Sequence, residues 1–98
     1  MPMRHRLSAH ADRDLVRLYR ESVLHFGEAH ADVHLRRPED MFRTIGQFPE
    51  ASPERAELRG ARVRPFQAHH ILYRVKAGEV VILRVLYSRQ DVARHLKP

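Results

Sequence analysis

The stretch that most restricts how this chain can fold is "HHILYRVKAGEVVILRVLYSRQD", residues 69–91. Two runs rich in β-branched and aromatic residues flank Ala77-Gly78, the pattern of two strands joined by a two-residue hairpin turn. With the loop confined to residues 77 and 78, one face pairs Val75 with Val80, Tyr73 with Ile82 and Ile71 with Arg84. The other pairs Arg74 with Val81, Leu72 with Leu83 and His70 with Val85. Each face is apolar and carries an arginine, so the sheet has to be covered twice.

The remaining sequence offers helix enough for one cover. "MRHRLS" at 3–8 reads as a short strand, and Ser8 is placed to cap a helix starting directly after it. Ala11, Leu15, Leu18, Tyr19, Ser22, Val23 and Phe26 recur at three and four residues, which predicts a helix over 9–26 with Gly27 just past its end. A second apolar stripe begins weakly at Ala29 and Val33, strengthens through Met41, Phe42, Ile45 and Phe48, and stops at Pro49. Pro38 interrupts it, and Glu39 and Asp40 behind it suit a helix start, so a restarted or kinked segment is expected there. Residues 49–61 read as a loop with one short helical turn, and "RVRPFQA" as a strand that Pro65 confines to an edge or a bulge. The tail "SRQDVARHLKP" could close the chain with a short helix. The fold class is therefore α+β: an N-terminal strand, a helical hairpin and a three-stranded antiparallel meander, in two layers and one domain spanning 1–98. The face that this hairpin leaves open, with Arg74, His70, Leu72, Val81, Leu83 and Val85, is the candidate partner-binding surface, and Arg84 of the other face and Arg89 and Arg94 of the tail are counted with it.

Charge is unevenly placed. Residues 1–50 hold eight Lys/Arg against eight Asp/Glu, whereas residues 51–98 hold ten against four, so the whole net charge of +6 sits with the predicted sheet. Sixteen of the 18 basic residues are arginine, which favours planar, paired contacts to carboxylates or phosphates. There is no cysteine, and neither a signal peptide nor a membrane-length apolar run is visible, so a cytoplasmic location without membrane association is expected.

The residues offer little dedicated chemistry. His30 and His34 lie four apart in "HADVH", but Ala31 stands where the zinc-protease pattern needs glutamate and no third ligand is near, so no metal and no cofactor are expected. Ser8, Ser22, Ser52 and Ser88 lack the context of an activated nucleophile. Arg13, Arg17 and Arg20 alternate with Asp12, Asp14 and Glu21, which argues against a DNA-reading helix.

The order of elements, with "LSAHADRDLVRLY", "FGEAHA", "PE" at 49–50, "LRGARVRPF", "HHILYRV" and "VVILRVLYSRQDVARHL", resembles the RelE/ParE superfamily of bacterial toxins. The ending is more similar to the ParE, or plasmid-stabilisation, branch. That resemblance implies a cognate protein antitoxin whose C-terminal segment wraps the toxin in a hetero-oligomer, and DNA gyrase as a target trapped by binding alone. The alternative within the superfamily is a RelE-like, ribosome-dependent mRNA endonuclease. Its cations and proton-transfer groups would come from Arg62, Arg64, Arg84 and Tyr87, with His69 or His70 assisting. A third is an inactive relic that only binds its antitoxin.

Overall fold

The computed structural model describes residues 2–87, the side chains of 29–37 excepted. The predicted tail helix, Arg89 and Arg94 therefore lie outside the described residues. In order, the elements are β1 (His5–Leu7), α1 (Ala9–Phe26), α2 (Glu28–Gln47), β2 (Glu54–Arg55), a 3₁₀ turn (Ala56–Leu58), β3 (Ala61–Phe66), β4 (His69–Lys76) and β5 (Glu79–Tyr87).

The local signals produced the elements they predict. Ser8 caps α1, its Oγ accepting from the amide of Ala11 at 3.0 Å. Gly27 ends α1 at φ 81°, a backbone open to glycine, with its N–H on the carbonyl of Val23. Ala77 and Gly78 take φ 52° and 76°, the doubly positive geometry of a tight hairpin turn. Pro65 lies in the part of β3 beyond its pairing with β2, where its missing N–H breaks no ladder.

Pro38 behaves otherwise. The helix α2 runs unbroken from Glu28 to Gln47 with Pro38 inside it and fully buried, so the expected restart does not occur. Burial of the ring offsets part of the cost of an interior proline. Phe48, assigned to the apolar stripe, is instead the cap residue and is 65% exposed.

Among the described residues the sheet has five strands rather than the four expected, in the order β1-β5-β4-β3-β2. It is mixed: β1 lies parallel to β5, while β2 to β5 form an antiparallel meander. Both helices pack on one face, over a core of Ala11, Phe42, Ile45, Ile71, Tyr73, Val80, Ile82 and Val85. Gly46 sits where α2 meets the N-terminal segment. Its carbonyl accepts from the amide of Met3 at 2.8 Å, and a Cβ there would fall 2.4 Å from the Met3 carbonyl oxygen. Gly46→Ala is accordingly expected to cost about 1–3 kcal/mol, as overpacking against backbone does, read as a lowered urea midpoint.

The hairpin register holds from Lys76↔Glu79 to Tyr73↔Ile82 and then shifts by one, because Leu83 is a bulge residue. Leu72 meets Arg84, Ile71 meets Val85 and His70 meets Leu86. The shift corrects the expected faces: Val85 turns into the helix-covered core, and Leu86 joins the opposite face. That opposite face is not an open apolar surface either. Leu72 and Leu86 are 0% exposed and Val81 7%. Arg74 on the same face donates to the carbonyls of Leu58 and Arg59, which ties the 3₁₀ turn to the sheet.

Candidate functional site

Beyond Ile82, β5 has no strand beside it on the β1 side among the described residues, because β1 ends at Leu7. Its edge groups are met by α1 instead. Ser8 Oγ donates to the carbonyl of Leu83 at 2.8 Å, and Asp14 Oδ2 accepts from the amide of Val85 at 2.9 Å. Arg17 Nη2 reaches the carbonyl of Val85 at 3.4 Å. One helix face thus stands in for a missing strand and blunts the edge.

The same face assembles an ionic cluster, since Asp14, Arg17 and Glu21 are spaced three and four residues apart. Arg84 clasps Asp14 with both ends of its fork, Nε to Oδ2 at 2.8 Å and Nη2 to Oδ1 at 3.0 Å. The Asp14 side chain is 4% exposed and that of Arg84 16%, so this is a desolvated pair, further satisfied by the Val85 amide. The hydrogen bond to Asp14 raises the Arg84 pKa above its ordinary value against the opposing effect of burial. Arg17 lies 3.7 Å from Asp14 and 4.0 Å from Glu21. The hydroxyl of Tyr87 donates to Glu21, its ring stacks on His69 with centroids 4.6 Å apart, and Arg17 lies 5.9 Å from its centroid.

His69 closes the cluster. Its Nε2 is buried and makes no hydrogen bond among the described residues. Burial lowers its pKa from the ordinary 6.5; Arg17 pushes the same way and Glu21 opposes. The folded state therefore prefers neutral His69, and below about pH 6.5 the unfolded chain takes up the proton first. Unfolding free energy is expected to fall as pH drops through that range. Urea midpoints at neutral and mildly acid pH should show a decline that His69→Phe makes shallower; an unaltered slope would remove His69 as its cause.

Of the residues expected to form a nuclease site, the fold brings together Arg84 and Tyr87, with His69 alongside. Arg62 and Arg64 are elsewhere. Arg62 donates to the carbonyl of Ser52 at 2.5 Å and approaches Glu54 at 3.5 Å. Arg64 lines a separate recess with Ser52, Phe48 and Tyr73. Of the expected partner-binding set, Leu72, Val81 and Val85 are buried, Leu83 and His70 half-buried, Arg74 holds the 3₁₀ turn, and Arg84 holds Asp14. From sequence, Asp14, Arg17 and Glu21 entered only as alternating charges that argue against a DNA-reading helix. The available signal was Asp14 falling three residues after Ala11, inside the apolar stripe. Among the described residues no His/Cys/Asp/Glu group is arranged to hold a metal, and no helix is long and apolar enough to cross a membrane.

The family model for the ParE toxin of type II toxin-antitoxin systems, parDE, matches residues 6–92. Toxin ParE3 of Caulobacter vibrioides is 34% identical over 84 residues, covering 85% of this chain and 84% of the relative. A solved structure described as the chromosomal ParDE TA system from P. aeruginosa superposes with a TM-score of 0.77 at 22% identity, over 87% of this chain and 95% of the other, which speaks to the fold. A match spanning nearly the whole chain, a relative at that identity and the shared α+β layout agree, and this chain belongs to the ParE toxin family of type II toxin-antitoxin systems.

Proposed function

We propose that this toxin acts in the cytoplasm, as one domain, by binding DNA gyrase in its cleaved-DNA state, and that a cognate protein antitoxin silences it within a hetero-oligomer. The observation that carries this reading is the engagement of Arg84 and Tyr87. RNA cleavage needs cations and proton-transfer groups directed at a phosphate, yet Arg84 is clasped by Asp14 and the Tyr87 hydroxyl donates to Glu21. Arg62 is turned to Ser52 and Glu54, and Arg64 lies in another recess. A poison that works by binding requires none of these groups to be available for catalysis.

The test is induction of this chain alone in bacteria, following DNA-damage signalling and pulse-labelled protein synthesis together, with purified gyrase assayed in parallel for trapped DNA cleavage. Damage signalling that rises while translation continues, with cleaved DNA accumulating in vitro, is the expected result. An early collapse of translation with no gyrase effect would replace the proposal with the nuclease reading. On the antitoxin side, Arg74 is the cation to test, because its internal partners are the neutral carbonyls of Leu58 and Arg59, whereas reversing Arg84 would set a like charge against the buried Asp14 carboxylate. Arg74→Glu is expected to weaken binding of an acidic antitoxin segment about tenfold, or ~1.4 kcal/mol, in a calorimetric titration. Unchanged affinity would remove Arg74 from that interface.

A further inference from the structure

The arginines of the sheet are not all committed. Arg62, Arg74 and Arg84 each donate to carbonyl or carboxylate oxygens within the chain. Arg64 differs: among the described residues its guanidinium enters no hydrogen bond or ion pair, although the residue is half-buried. The register sets it beside Ile71 on the helix-covered face, where it lines a recess of about 120 Å³ between the end of α2, the loop after it and β3. A guanidinium carries five donors and is disfavoured when withdrawn from water without acceptors.

The rest of the recess restricts what could supply them. Tyr73 donates its hydroxyl proton to the carbonyl of Pro49, and Thr44 donates to that of Asp40, so both are occupied as donors. Ser52 is 7% exposed; its carbonyl accepts from Arg62, while its hydroxyl has no hydrogen-bond partner among the described residues. The side-chain donors left over among the described residues are thus one guanidinium fork and one hydroxyl. Around them stand Ile45 and Ala51, with Phe48, 65% exposed, beside them. One cation matches one negative charge, and a planar fork matches a carboxylate in two parallel hydrogen bonds. Phosphate would bring further charge with no second cation lining the recess among the described residues.

We propose that this recess takes the carboxylate of a glutamate side chain presented by an acidic, partly apolar segment of a partner protein, with Arg64 and Ser52 gripping the oxygens and Phe48 covering the methylenes. The site is separate from the Asp14–Arg84 cluster and does not depend on the gyrase reading.

The test is a titration of the isotope-labelled full chain, followed by NMR at the Arg64 Nε–H and the Ser52 amide. The probes are a capped Leu-Glu-Ala peptide, its Leu-Gln-Ala counterpart and inorganic phosphate. The glutamate peptide should shift both signals saturably with a Kd in the millimolar range, about what one charged contact with a small apolar surface supports. The glutamine peptide and phosphate should bind at least about tenfold more weakly, a gap of ~1.4 kcal/mol. Arg64→Gln should raise the Kd by the same factor, and Ser52→Ala, read at Arg64, supplies a second variant if the first does not fold. Equal binding of the glutamine peptide, tighter binding of phosphate, no saturable shift, or a Kd unchanged in a folded variant would each overturn the assignment.

Discussion

Replacing Asp14 with alanine is expected to lower the unfolding free energy by about 3–5 kcal/mol, the loss typical when one partner of a buried ion pair is removed. Three acceptances end together, from Arg84 Nε, Arg84 Nη2 and the Val85 amide. Arg84, with its side chain 16% exposed, would keep its charge without this counterion, and β5 would lose the bond that substitutes for a strand along its edge. A double-mutant cycle separates these effects. Asp14→Ala combined with Arg84→Met should be less destabilising than Asp14→Ala alone, because no desolvated charge is then left behind. Urea unfolding of the four proteins decides it: a single-mutant loss under about 1 kcal/mol, the range of exposed pairs, would mean that solvent reaches the pair and that α1 does not seal this edge.

Phe42→Ala is expected to cost a similar amount, about 3–5 kcal/mol, for a different reason. Phe42 is 0% exposed and projects from α2 into the cluster with Ile45, Ile71, Tyr73, Val80 and Ile82, with the ring of His5 at 5.6 Å. Truncation removes the ring's transfer free energy and leaves a cavity whose walls belong to both layers and so cannot close easily. In a domain of this size, whose total stability is on the order of 5–15 kcal/mol, that fraction should appear as a large drop in thermal midpoint. Phe42→Leu should recover much of it. Should alanine shift the midpoint no more than leucine does, Phe42 would not be the residue that holds α2 on the sheet.

The two variants separate what each layer contributes. Phe42 holds α2 to the sheet by shape and apolar area, whereas Asp14 holds α1 to β5 by charge and backbone satisfaction. Only the second bears on the candidate site, because the Asp14–Arg84 pair removes Arg84 from any catalytic set and, through Arg17 and Glu21, is continuous with Tyr87.

How much was legible in the sequence depends on how far apart the determining residues lie. The Ser8 cap, Gly27, the Ala77-Gly78 turn and the period of α1 are local, set by sterics and hydrogen bonds within a few residues, and they stand as read. Pro38 misled because its local cost is offset by burial, which depends on what packs around the ring. Glu54–Arg55 escaped notice because two exposed residues carry no alternation. At the candidate site, Arg84, Tyr87 and His69 were singled out, but as groups available to a substrate or partner; the structure instead turns Arg84 to Asp14 and Tyr87 to Glu21. The recess around Arg64 had no sequence signal, since its walls come from α2, the loop after it, β3 and β4.

By itself, then, the sequence determined the order of the elements, their caps and turns, the antiparallel meander and the resemblance to a toxin family. Each of these rests on short-range chemistry or on the spacing of motifs along the chain. Tertiary structure decided the parallel pairing of β1 with β5, the bulge at Leu83 and the clasp of Arg84 by Asp14, 70 residues earlier in the chain. The bulge fixes which way every later residue of β5 points, since one extra residue in a strand exchanges its two faces. It coincides with the point where β1 ends and α1 takes over the edge, and that coincidence exists only once the two ends of the chain have met.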